Sequence, residues 1–161
     1  MTLTQDLLAQ VVDDVLETFV GGLADEPQPD DTVLPVTAFV QITGGWTGAV
    51  LFSCSAELAS TVTAAMLALP VEELTQDDIS DAVGEMANMV GGSVKSLMLE
   101  PADLSLPTVI FGASGASVPG TELLHRVDRT CAGQPLRVTV LAADPSHAGS
   151  SGHVARALAG R

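Results

Sequence analysis

The order of helix-like and strand-like segments predicts an α+β domain, with helices packed on a mostly antiparallel sheet. Three observations carry that reading. An amphipathic helix comes first, a pair of β-branched and aromatic runs split by Gly44-Gly45 forms the strongest hairpin signal, and strand-like runs return after two further helical segments. With 161 residues, 47% of them hydrophobic, the chain is long enough for one core and short for two. One domain is expected over residues 1–143. From Asp144 onward Gly, Ser, Ala and His dominate, so 144–161 reads as a poorly ordered tail, with a short helix at most over 154–158.

Residues 3–20 place Leu8, Val12, Val15, Leu16 and Phe19 on one helical face, and Thr2 with Gln5 has the spacing of a capping box. Gly21 and Gly22 close that helix, and residues 25–31 carry Pro and charge without periodicity, as a loop does. Residues 36–43 and 46–53 are the hairpin strands. Ser55 is placed to cap a second helix reaching residue 69 before Pro70, with Leu58, Val62, Ala65 and Met66 toward the core. A third helix starts at Thr75-Gln-Asp-Asp78, again with capping-box spacing and with acids at the positive end of the helix dipole, and extends to about Leu99 before Pro101. Strands are expected at 105–111, 122–129 and 136–142, the last two joined by a turn over 132–135.

Composition removes several function classes. Six Lys plus Arg against twenty Asp plus Glu give a net charge of -14, which argues against nucleic acid, because phosphate-backbone affinity comes from cations that displace counterions. No apolar run approaches the roughly 18 residues a membrane span needs, and nothing at the start resembles a signal peptide, so a cytoplasmic protein that engages no membrane is expected. Cys54 and Cys131 read as buried thiols, and His125, His147 and His153 have no metal-ligand spacing. Residues 112–116 miss the nucleophile-elbow pattern at its last position.

The third helix is the informative one. At about 100° per residue, Ile79, Val83, Met86, Val90, Val94 and Leu97 form one stripe toward the core. Glu85 and Asn88 then face outward side by side, with Asp81, Gly92 and Lys95 on the same strip and Met89 beside it. Gly91 and Gly92 each cost a helix about 1 kcal/mol relative to Ala. A bare backbone one turn beyond Asn88 would let a partner come close to the carboxamide, whereas Gly91, nearer the side, would let another element of the chain pack tightly. The bland alternative is a solvated acid, a tolerated Asn and glycines without purpose. Aligning Val20-Gly21-Gly22 with Val90-Gly91-Gly92 suggests a faint internal repeat, which sets Val15 and Thr18 of the first helix against Glu85 and Asn88.

The run from Ile79 to Lys95, ISDAVGEMANMVGGSVK, resembles the signature helix of the CheX branch of the CheC/CheX/FliY phosphatases, in which an acid or Ser precedes Glu-x-x-Asn. Asp81, Glu85 and Asn88 supply that pattern. Residues 45–53 (GWTGAVLFS) are similar to the family's glycine-bearing second strand, and residues 104–112 (LSLPTVIFG) to its Leu-Pro-x-Val strand. The resemblance spans roughly residues 3–143 and implies a CheC-like fold whose long central helix carries the motif.

The resemblance also implies an activity: hydrolysis of the phospho-aspartate on a CheY-like response-regulator receiver domain. Asn88 would orient the attacking water, and Glu85 would pair with the receiver's active-site lysine. Asp81, Met89, Gly92 and Lys95 would support the contact. The protein would need no cofactor or metal of its own, the Mg²⁺ belonging to the receiver. The missing motif on the first helix is like the single-site CheX branch, and a homodimer joined through the sheets is implied. The rival reading is a non-catalytic module of the same fold that docks a receiver domain or a motor-type assembly. A small-molecule sensor would require a convergent polar set, which the sequence lacks.

Overall fold

The computed structural model describes residues 2–20, 32–112, 118–144 and 146. In chain order the elements are α1 (Gln5–Val20), β1 (Val36–Gly44), β2 (Gly48–Cys54), α2 (Ala56–Leu67), a 3-10 turn (Val71–Glu73), α3 (Gln76–Ser96), β3 (Ala102–Leu104), β4 (Thr108–Phe111), β5 (Thr121–Cys131) and β6 (Gln134–Ala143). Every strand pair is antiparallel, in the order β3-β1-β2-β6-β5, with β4 also paired to β1. The α+β expectation holds. The tail beyond residue 146 and the loop over 25–31 lie outside the described residues.

Alternation along the strands sorts the side chains. Val36, Ala38, Val40 and Ile42 of β1, Val50, Phe52 and Cys54 of β2, and Leu136, Val138 and Val140 of β6 face the helices. There they meet Leu8, Val12 and Leu16 of α1, Leu58 and Val62 of α2, and Val83, Met86, Val90 and Val94 of α3. The opposite face carries a smaller cluster of Phe39, Ala49, Leu51 and Val118, with Ile110 and Leu141 against it. Polar ties hold α1 to β5. Arg129 Nε and Nη2 donate to Asp13 Oδ1 and Oδ2 at 2.8 and 3.2 Å, while Nη1 donates to the Asp128 carbonyl at 3.0 Å.

Several boundaries differ from the sequence expectation, each for a local reason. Thr4, not Thr2, caps α1: its hydroxyl accepts from the Leu7 backbone N–H at 3.2 Å, and the apolar Leu7 cannot complete a capping box. Gln5 instead donates to the Arg126 carbonyl. In α2, Ser55 caps as expected, accepting from Leu58 N–H at 3.1 Å. Its inner face, however, uses Ala59 and Thr63 where Ala65 was expected, and Ala65 is exposed. Thr63 is tolerated there because its hydroxyl donates to the Ala59 carbonyl at 2.6 Å. That helix ends through Ala68, in a left-handed conformation at φ 52°, before Pro70 is reached.

The first hairpin has the expected strands, but Trp46 sits in the connection, close over Gly48, where any side chain would collide with the indole. Of the glycine pair only Gly44 takes a positive φ, 135°. Of the strand expected over 105–111 only β4, from Thr108, forms, because residues 105–107 with Pro107 interrupt the ladder, and a short unexpected strand, β3, precedes them. Ala132 (φ 52°) and Gly133 (φ 77°) make the tight turn of the last hairpin, so Pro135 lies within β6, opposite Thr130. Helix α3 stops at Ser96, three residues short of the expected end.

Candidate functional site on helix α3

The start of α3 is fixed as the sequence predicts. The Thr75 hydroxyl accepts from Asp78 N–H at 3.1 Å, and the Asp78 carboxylate accepts from Thr75 N–H at 2.9 Å. From there Ala82, Val83, Met86, Ala87, Val90 and Val94 are buried. Helical geometry leaves Asp81, Glu85, Asn88, Gly92 and Lys95 along the outer strip. Asp81 and Glu85 are exposed, and Asn88, Gly92 and Lys95 are half-buried. Met89 belongs to the margin of the core, packed against its buried cluster. Within the described part of the chain neither the Glu85 carboxylate nor the Asn88 carboxamide is engaged in a hydrogen bond or ion pair. Both are therefore available to an outside partner.

The paired glycines divide as their positions suggested. A Cβ on Gly91 would collide with Val40 Cγ2 of β1 and come within 3.3 Å of Leu104 Cδ1, so the bare backbone lets α3 settle onto the sheet. A Cβ on Gly92 would meet nothing within 4 Å. Among the described residues nothing takes advantage of that bare backbone to offset its helix cost. Gly84 has a third role: a Cβ there would lie 3.3 Å from Pro107 Cγ, so Pro107 is seated against α3 one turn before Asn88. Sequence reasoning missed this shoulder. The Leu-Pro pair carried the signal but was read as part of a strand.

Two hollows adjoin the strip. One of about 550 Å³ begins at Gly92 and Lys95 and continues past Met98, Leu99 and Pro101 to Leu104. A smaller notch of about 170 Å³ lies between α2 and α3 at Met66, Leu67, Asp78, Asp81 and Ala82. Helix α1 presents no second strip: Val15 is buried and the Thr18 hydroxyl donates to the Asp14 carbonyl at 2.9 Å.

Other chemistry finds little footing. Among the described residues no group of three or more His, Cys, Asp or Glu is placed to hold a metal ion, and no helix is long and apolar enough to cross a membrane. Cys54 and Cys131 are buried, and burial pushes the Cys54 thiol up to about 12, far from a nucleophile's range. What α3 offers is an anionic group and a neutral donor–acceptor group three residues apart on an open ridge. The carboxylate can grip a cation, and the carboxamide can both accept from and donate to a water.

Comparison with known proteins gives this ridge a context. The family model described as chemotaxis phosphatase CheX matches residues 36–127, more than half of the chain and inclusive of the whole of α3. A CheX chemotaxis protein from Desulfovibrio desulfuricans is 24% identical, with a TM-score of 0.68 over 84% of this chain and 95% of its own. A chain of the CheX–CheY–BeF3–Mg²⁺ complex from Borrelia burgdorferi is 18% identical, with a TM-score of 0.69 over 86% of this chain and 96% of its own. The FliM middle domain from Vibrio alginolyticus shares the fold more loosely, at 12% identity and a TM-score of 0.54 over 86% of this chain and 89% of its own. No curated protein sequence matches significantly.

Proposed function

Because the chain belongs to the CheX family, we propose that it hydrolyses the phospho-aspartate of a CheY-like receiver domain, with Asn88 positioning the water and Glu85 gripping the receiver. The observation that carries this is the pair of polar side chains on the outer strip that no described residue engages, beside a glycine whose bare backbone no described residue approaches. Phosphoryl transfer asks for positioning and charge stabilisation more than for covalent help. A carboxamide meets the first requirement: its oxygen accepts from the attacking water while its position holds that water in line with phosphorus. The second is met by the Mg²⁺ and lysine of the receiver, the lysine being held by the Glu85 carboxylate. Asp81 and Lys95 extend the contact along the strip, and Gly92 gives clearance. The setting would be cytoplasmic.

A homodimer is part of the same reading. Strand β5 is an 11-residue edge with Leu123 61% and Leu124 40% exposed, the kind of edge that pairs with another copy. The likeness to a FliM domain supports a second reading, a docking module without turnover.

The test is the decay of a phosphorylated CheY-like receiver with Mg²⁺, alone, with this protein, and with its Asn88→Ala and Glu85→Ala variants. Acceleration that falls roughly 100-fold or more in Asn88→Ala is expected, as for loss of a water- or oxyanion-positioning group. Binding of the receiver without any acceleration by the wild-type protein would leave the docking reading in its place.

A further inference from the structure

Among the described residues the two most exposed large hydrophobic side chains are Leu106 at 89% and Leu99 at 85%, and both stand on the segment joining α3 to β4. The other exposed large hydrophobics reach 61% at most. We propose that Leu99 and Leu106 form an apolar clamp that closes on the receiver domain beside its phosphorylated pocket; this rests on the phosphatase reading given above.

Position supports the pairing. Leu106 adjoins Pro107, which is seated on Gly84, one turn before Asn88 and toward the β3–β4 side of the strip. Leu99 borders the 550 Å³ hollow that opens at Gly92 and Lys95, one and two turns beyond Asn88. Pro107 and Gly92 thus bracket the stretch that carries Glu85 and Asn88, with Leu106 next to the first in sequence and Leu99 lining the same hollow as the second.

The exposure is built into the fold. Ser105 N–H donates to the Gln41 carbonyl at 2.9 Å, and Gln41 N–H donates to Ser105 Oγ at 2.8 Å. Ser105 Oγ in turn donates to the Leu106 carbonyl at 3.0 Å. On the other side, Gly45 N–H donates to the Pro101 carbonyl at 3.1 Å. The backbone beside Leu106 is thus tied to β1, and that two residues beyond Leu99 to the hairpin turn, so little ordering remains to be done when a partner arrives.

Charge favours an apolar grip. The chain carries -14, and Asp77, Asp78, Asp81 and Glu85 lie on α3 itself. An acidic face gains nothing from long-range attraction to an acidic phosphorylation pocket. Burial of leucine needs no complementary charge, and salt does not screen it.

The experiment titrates a CheY-like receiver domain, activated with beryllofluoride and Mg²⁺, against the wild-type protein and the Leu99→Ser/Leu106→Ser double variant, by fluorescence anisotropy at low and high salt. The clamp predicts a Kd raised about ten-fold or more in the variant, a wild-type Kd that changes less than about three-fold between roughly 50 and 500 mM salt, and a kcat at saturating phosphorylated receiver within about two-fold of wild type. Side chains this exposed leave the folded state intact, which thermal melting checks. An unchanged Kd, steep weakening by salt, or a kcat that falls as in Asn88→Ala would overturn the clamp. Should the wild type bind without hydrolysing, the phosphatase reading fails and the Kd comparison still decides the clamp. If hydrolysis proceeds and the variant binds equally well, the clamp alone fails. No binding by the wild type overturns both.

Discussion

Adding one methyl group to each of the two adjacent glycines of α3 is expected to move stability in opposite directions. Alanine is better than glycine in a helix interior by about 1 kcal/mol. At Gly92 the new Cβ meets nothing within 4 Å, so the whole gain is realised. For a chain of 161 residues that corresponds to a rise in Tm of about 2–4 °C. At Gly91 the same propensity gain is opposed by collision with Val40 Cγ2, on a stiff β-branched side chain that is fully buried in the strand next to α3. Overpacking a buried site by one methyl group costs about 1–3 kcal/mol, and Val40 has little room to yield. Taking the upper half of that range for so rigid a neighbour, Gly91→Ala is expected to lose about 1–2 kcal/mol net, a separation of about 2–3 kcal/mol between neighbouring variants of identical chemistry. Urea denaturation of both, fitted with a common m-value, reads the difference directly. Equal shifts of the same sign would refute the packing account of Gly91. If Gly92→Ala gained stability and kept full phosphatase activity, its role as clearance for a partner would go with it.

Two further outcomes follow from the core. Asp13→Ala removes two charge-assisted bonds from Arg129, whose side chain is only 7% exposed against 44% for Asp13, and is expected to lower stability by about 2 kcal/mol. Chemical denaturation measures this, and a loss under about 0.5 kcal/mol would mean that the remaining bonds suffice. Burial pushes the Cys54 thiol up to about 12 from an ordinary 9.0 and pushes Cys131 upward as well, so the fold keeps protons that the unfolded chain releases. The stability this brings is full below pH 9 and, for Cys54, is lost as pH rises from 9 toward 12, at no more than about 1.4 kcal/mol per pH unit. A thiol-reactive dye at pH 8 should label Cys54 only on unfolding; rapid labelling of the native protein would contradict its burial.

Helix α3 and its outward strip were legible in the sequence because three local rules agree there: a capping box at Thr75 and Asp78, a continuous apolar stripe, and polar residues three and four apart on the opposite face. The different jobs of Gly91 and Gly92 were only half legible. Helical phase separates them by 100°, but that Val40 fills the space beside Gly91 depends on a strand some fifty residues earlier. Long-range contact likewise decided the misread elements. Alanine at 65 and threonine at 63 are both small, and periodicity alone does not rank them; the docking of α2 does, once the Thr63 hydroxyl has found the Ala59 carbonyl. The Leu106-Pro107 shoulder escaped notice because β-propensity runs through it, while its real anchor is the notch left by Gly84.

Among the described residues the side chains of Glu85 and Asn88 make no hydrogen bond or ion pair with the rest of the chain. Replacing either side chain therefore removes no polar tie seen within the described fold. A ridge of this kind can change its chemistry at the surface while the sheet and helices beneath it keep their contacts.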